Sequence, residues 1–144
     1  MELNKRVNMV GHVSPGQLLS YYHESPLFVF PSLKDELFGL VGIEAQACGL
    51  PVLASDLEGI RQWCHHGQTG WLFEAGKPEL LASRIDILLR KPALRARIRK
   101  AARAFVVNHH TLPSAAQSHV DLYHQILSHD QQTPHKEIQK AERS

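Results

Sequence analysis

The chain has 144 residues, 43% of them hydrophobic and 21% charged, with a formal net charge of +2. That composition fits one ordinary globular domain able to bury a core, and so small a charge makes no electrostatic case for nucleic acid. Two cysteines, Cys48 and Cys64, make neither a disulfide framework nor a C-x-x-C metal pair, which predicts reduced thiols in a cytoplasmic protein.

The opening Met-Glu-Leu-Asn-Lys-Arg has no secretory-type apolar stretch, and no segment approaches the ~20 apolar residues of a membrane span. Val7–Val10 predicts a first strand. Ser14-Pro15-Gly16-Gln17 reads as a capping box with proline at the first helical position, so a helix should run to about His23. Leu27–Phe30 is a short apolar run of the kind found in a buried parallel strand.

The segment from Pro31 to Val52 carries the most information. Glu36 precedes a Leu37-Phe38-Gly39-Leu40 turn, and Glu44 follows inside a short helix that ends at Gly49, a left-handed cap ahead of Pro51. Gly39 and Gly42 should leave the first helical turn bare, so that a ligand can approach its free N–H groups, where the helix dipole favours phosphate. With a rise of ~1.5 Å per residue, the two carboxylates could stand up to about 12 Å apart along one wall. A nucleotide diphosphate sugar, with hydroxyls at both ends and charge between, suits that spacing. The ordinary alternative for Glu44 is a buried acid capping a neighbouring loop.

Val52–Ala54 predicts the next strand, Ile60 to His65 a short helix closed by Gly67, and Gly70–Phe73 a fourth strand. From Pro78 the pattern is helical. Leu81, Ile85, Leu88 and Leu89 share one face, Pro92 interrupts, and Leu94, Ile98, Ala101 and Phe105 share the next. A third helix from near Pro113 should turn Ala116, Val120, Tyr123 and Leu127 inward. Residues 129–144 read as a disordered polar tail after a domain over 1–128. Strands alternating with helices predict an α/β fold, a Rossmann-like parallel sheet of about four strands with helices on both faces.

Two charge features need separate weighing. His65-His66 and His109-His110 are adjacent pairs that diverge by about 100° on a helix, and no H-E-x-x-H occurs, so no metal site is predicted. Arg84, Arg90, Lys91, Arg95, Arg97, Arg99, Lys100 and Arg103 account for eight of the sixteen basic residues. A solvated helix face is the preferred reading, and weak peripheral contact with an anionic membrane the second. Nucleic acid lacks any supporting motif.

Glu36-Leu-Phe-Gly-Leu…Glu44-Ala-Gln-Ala-Cys-Gly49-Leu-Pro51-Val resembles the E-x7-E signature of family-four retaining glycosyltransferases, enzymes of the two-domain GT-B architecture. Val10-Gly11-His12-Val13-Ser14 and Leu27 to Ser32 upstream, and Ala54-Ser55-Asp56, Gly59-Ile60 and Gly67-Gln68-Thr69-Gly70 downstream, extend the likeness over roughly residues 7 to 127. The resemblance implies transfer of a sugar from a nucleotide-diphosphate donor to an acceptor hydroxyl with retention, without a metal or other cofactor. It places Glu36 at the donor sugar near the anomeric centre as the catalytic residue, and Glu44 on the ribose hydroxyls. Leu37, Phe38, Gly39 and Leu40 would offer backbone amides to the sugar and β-phosphate.

The resemblance further implies a glycan or lipid-linked acceptor, a role in polysaccharide, lipopolysaccharide or other glycan synthesis, and work at the inner face of the membrane. Two departures stand out. The family often has Gly-Gly-x-x-Glu where this chain has Glu58-Gly59-Ile60-Arg61-Gln62, which leaves the donor sugar open. The family's donor domain also opens with a strand, an arginine-bearing loop and a Lys-Gly pair, for which Lys5 and Arg6 are poor substitutes.

The chain therefore reads as the C-terminal donor-binding region, incomplete at its N-terminal side. An open sheet edge then predicts self-association or a separate chain carrying the N-terminal domain. The alternative is a non-catalytic nucleotide-sugar-binding or interaction module. An unrelated flavodoxin-like signalling domain fails, because the acid cluster it needs at the first strand ends is absent.

Overall fold

The computed structural model describes residues 5–34 and 36–132. The described residues up to Val107 form one compact unit and those from Asn108 onward a second. In chain order the first unit holds α1 (Pro15–Glu24), β1 (Phe28–Phe30), α2 (Leu40–Ala47), β2 (Val52–Ser55), α3 (Glu58–Arg61), β3 (Trp71–Phe73) and α4 (Pro78–Arg90). Helix α5 (Pro92–His109) runs on into the second unit, which contains α6 (Leu112–Gln132).

The three strands are parallel in the order β1-β2-β3, with Val29 opposite Leu53 and Ala54 opposite Leu72. The central β2 is buried along its whole length, and its alternating side chains serve two different cores. Val52 and Ala54 pack with Tyr22, Ile43, Leu50, Ile60 and Trp63, the layer made by α1, α2 and α3. Leu53 points the other way, into Phe73, Leu88 and Ile98 from β3, α4 and α5. The predicted helices over both sheet faces are thus present, and the pattern Leu81, Ile85 and Leu88 marks the face of α4 that covers the second layer.

Local signals decide where the elements begin and end. The Ser14 N–H donates to Gln17 Oε1 at 2.9 Å and the Gln17 N–H to Ser14 Oγ at 3.4 Å, the reciprocal pair that starts α1. Gly49 adopts φ +72° after α2, and the Leu50 N–H returns to Ala45 O at 2.9 Å before Pro51 turns the chain into β2. Gly67, at φ +74°, shapes the loop before β3.

Three sequence expectations need correction. Val7–Val10 is not a strand; it is exposed, Met9 to 88%, because no described strand lies beside it to accept its backbone hydrogen bonds. Sheet pairing therefore stops at β1, which is only half-buried because it is an edge strand. Ala116, Val120, Tyr123 and Leu127 of α6 are exposed rather than inward. Helix α6 also continues to Gln132, past the predicted end at 128; the rest of the predicted tail lies outside the described residues.

Candidate functional site

Helix α2 begins at the C-terminal end of the sheet, after the loop that follows β1. Its N-cap is Gly39, at φ +79°, with no side chain to cap the helix. Glycine is required there twice over: the conformation is left-handed, and a Cβ would lie 2.7 Å from a Phe30 ring carbon. The Gly42 N–H turns back to Gly39 O at 2.9 Å. The Leu40 and Val41 N–H groups precede any intrahelical acceptor, and both side chains are exposed. This is an uncapped positive dipole end open to solvent.

Gly42 serves a different purpose from the one its sequence position suggests. A Cβ there would fall inside the Trp63 indole, so Gly42 is bare because the protein's own ring covers it. Trp63 is fully buried, and its Nε1–H donates to the Phe38 carbonyl, tying the signature loop to the segment after α3. Ligand access is therefore confined to the turn around Gly39, Leu40 and Val41. Gly59 makes a second tie, since a Cβ there would strike the carbonyls of Glu36 and Leu37.

The two predicted acids do not stand along one wall. Glu36 lines a recess of about 510 Å³ with Leu37, Leu57, Glu58, Gly59 and Gln62. Glu44 lines another, of about 590 Å³, with His12, Val13, Leu18, Tyr22 and Cys48 among its walls. They share no lining residue, and the chain joining them is the helix mouth itself. Glu58 and Gln62, which stand where the family pattern often has Gly and Glu, both line the Glu36 recess. The Glu44 recess has mostly apolar walls, with its acid on an exposed position of α2.

Sequence reasoning missed Tyr22, whose hydroxyl lies 3.4 Å from Glu44 Oε2 and 3.3 Å from Val41 O. The available signal was a tyrosine on the inward side of an amphipathic helix, since a buried tyrosine hydroxyl normally finds a partner. Burial, and then the Glu44 charge, push the Tyr22 pKa up to about 12. Cys48 caps α2 and is half-buried, with its thiol pKa raised by burial; Cys64 is fully buried and pushed up to about 12. Both are free thiols.

The basic run is largely solvated, with Arg90, Lys91, Arg97, Arg99, Lys100 and Arg103 exposed, and six of its eight members also have partners within the chain. Arg99 Nε donates to Gly49 O and Arg103 to Ala47 O, both at 2.5 Å, at the C-terminal end of α2. Arg95 donates to Leu88 O and Leu89 O at the end of α4, and Arg97 to Gly67 O at 3.4 Å. Arg90 pairs with Asp86, and Arg84 lies over the Trp71 ring at 5.3 Å. His66 accepts from the Leu72 N–H through Nδ1, and His65 packs edge-on against Phe105. No helix among the described residues is long and apolar enough to cross a membrane.

A parallel sheet with an uncapped, acid-flanked helix mouth at its C-terminal edge is an open α/β unit, a class in which ligands sit beyond the carboxyl ends of the strands. The sequence profile described as "Glycosyl transferases group 1" matches residues 1–105, and the chain belongs to that family. It is 38% identical over 88 residues to a D-inositol 3-phosphate glycosyltransferase of Rhodococcus opacus, covering 61% of this chain and 20% of that protein. It is 34% identical over 105 residues to the capsular polysaccharide biosynthesis glycosyltransferase CapM of Staphylococcus aureus, covering 73% and 27%. The structure of Anabaena Alr3699/HepE in complex with UDP-glucose superposes with a TM-score of 0.78 at 25% identity, over 85% of this chain and 33% of that one. The chain thus spans about a fifth to a quarter of the two curated relatives.

Proposed function

We propose that this chain forms the donor-binding part of a retaining glycosyltransferase that takes sugar from a nucleotide diphosphate sugar. The observation that carries the reading is the uncapped mouth of α2 set between two acid-lined recesses. The nucleoside enters the larger apolar recess, where the Glu44 carboxylate accepts from the ribose hydroxyls. The diphosphate lies against the Leu40 and Val41 amides, and the sugar fills the recess of Glu36, Glu58 and Gln62.

Chemistry at the anomeric carbon follows from that placement. The acceptor oxygen bonds to the anomeric carbon as the bond to the diphosphate breaks, on the same face, and the departing phosphate oxygen takes the acceptor's proton. The helix mouth stabilises the charge that develops on the leaving group, the kind of preorganised term that dominates such catalysis. Glu36 contacts the sugar and helps to fix its orientation. The reading uses no metal. A glycan or lipid-linked acceptor, handled in the cytoplasm at the membrane's inner face, completes the proposal.

Support comes from the relatives, which are transferases, and from the neighbour solved with UDP-glucose. Calorimetric titration with UDP and UDP-glucose tests it. Glu44→Ala should weaken both by ~10-fold or more, the loss of a hydrogen-bonded charged partner. Glu36→Gln should weaken UDP-glucose but not UDP. Unchanged UDP affinity in Glu44→Ala would remove the ribose assignment.

A further inference from the structure

We propose that Tyr22 is a positioning residue that holds the Glu44 carboxylate in the orientation that grips a vicinal diol. The inference rests on the reading of Glu44 given above. Tyr22 lies on the inner side of α1 with only 5% of its surface exposed, and its ring packs edge-on against Phe28 at a centroid distance of 5.8 Å. The ring is fixed, so the hydroxyl is delivered to one place: the wall of the Glu44 recess.

At that place one proton faces two acceptors. Val41 O is at 3.3 Å and Glu44 Oε2 at 3.4 Å, both longer than a typical O–H···O bond, so the hydroxyl is shared between them. The carboxylate is the stronger acceptor because it is charged. Among the described residues the Tyr22 hydroxyl is the only hydrogen-bond partner of the Glu44 carboxylate. With a pKa of about 12, Tyr22 stays protonated, and so stays a donor, at any pH at which a sugar nucleotide is handled.

A free glutamate on a helix surface samples many rotamers, and a ligand that needs two oxygens in one plane must order them at its own entropic cost. Tyr22 pins one oxygen, Oε2, from the protein side. The other lone pairs remain directed into the recess, where two adjacent ribose hydroxyls can donate to them. A phenylalanine would fill the same space and leave the carboxylate free to rotate.

The test compares UDP with 2′,3′-dideoxy-UDP, by calorimetry, on the full chain and on Tyr22→Phe, Glu44→Gln and the double variant. Expected is a ~3- to 10-fold loss of UDP affinity in Tyr22→Phe with dideoxy-UDP unchanged, and a double variant no weaker than Glu44→Gln alone. Equal losses for both nucleotides, or additive losses in the double variant, would show a purely structural tyrosine and overturn the proposal. Failure of Glu44→Gln to alter the UDP to dideoxy-UDP ratio would instead overturn the ribose reading beneath it. A ligand-free measurement stands beside these: side-chain three-bond couplings of Glu44 should average towards free rotation in Tyr22→Phe. Couplings identical to the parent chain would also defeat the proposal.

Discussion

At the C-terminal end of α2, Ala47 O accepts from Arg103, and Gly49 O, two residues past the helix, accepts from Arg99. At its N-terminal end the same eight-residue helix has a glycine cap, no side-chain bond, and exposed side chains at Leu40 and Val41. A helix left to optimise itself would place Ser, Asp or Asn at the N-cap, a choice that stabilises by about a few tenths of a kcal/mol over glycine. The contrast shows how a short helix can be anchored at one end while the other stays open to solvent. The cations that compensate the negative end come from α5, half the first unit away in sequence.

Substitutions can break this asymmetry in a graded way. Gly42→Val should be the most damaging, because it drives a branched side chain into the Trp63 ring. A loss of about 3 kcal/mol or more, read by denaturant unfolding, is expected from such overpacking. Gly39→Ala comes next, at about 1–2 kcal/mol for a left-handed residue with a Cβ, together with weakened UDP binding as the mouth distorts. Trp63 makes a control for both: Trp63→Phe keeps an aromatic beneath Gly42 but loses the donor to Phe38 O, and should loosen the loop by ~1–2 kcal/mol in the same assay.

The anchored end should be softer. Arg99→Ala is expected to cost ~0.5–1 kcal/mol, with UDP affinity unchanged, since a cation at a helix C-terminus stabilises on that scale. The smallest effect belongs to Asp56→Asn, which removes an exposed ion pair with Arg61 at 2.6 Å. The Arg61 hydrogen bond and charge hold the Asp56 pKa below its ordinary value. A depressed carboxylate contributes stability above its unfolded pKa of ~3.9, and loses it as pH falls through the folded value. The parent and Asp56→Asn should therefore differ near neutral pH by a shift at the edge of detection, and converge in strong acid. A neutral-pH gap larger than that of Arg99→Ala would reverse the ranking of the two arginines.

The elements governed by nearby residues were legible in the sequence. Ser14 and Gln17 announce α1, Gly49 and Pro51 end α2, and the order of motifs around Glu36 and Glu44 identifies the family. What was not legible depends on residues far apart in the chain. Arg99 meets Gly49 across 50 residues and Arg103 meets Ala47 across 56, so a run that is solvated as expected also holds carbonyls at and just past the end of α2. Val7–Val10 has strand-forming residues, but a strand exists only where a neighbour completes its hydrogen bonds. The separation of the acids into two recesses depends on α1 lying beside α2, a tertiary fact that the spacing of Glu36 and Glu44 does not contain.

Gly59 rests directly on the carbonyls of Glu36 and Leu37, with no room between for even one methyl group. Any loop graft in this part of the chain must therefore transplant 36–39 and 57–62 as a single cassette. A graft of either stretch alone would pair surfaces that were never fitted to each other.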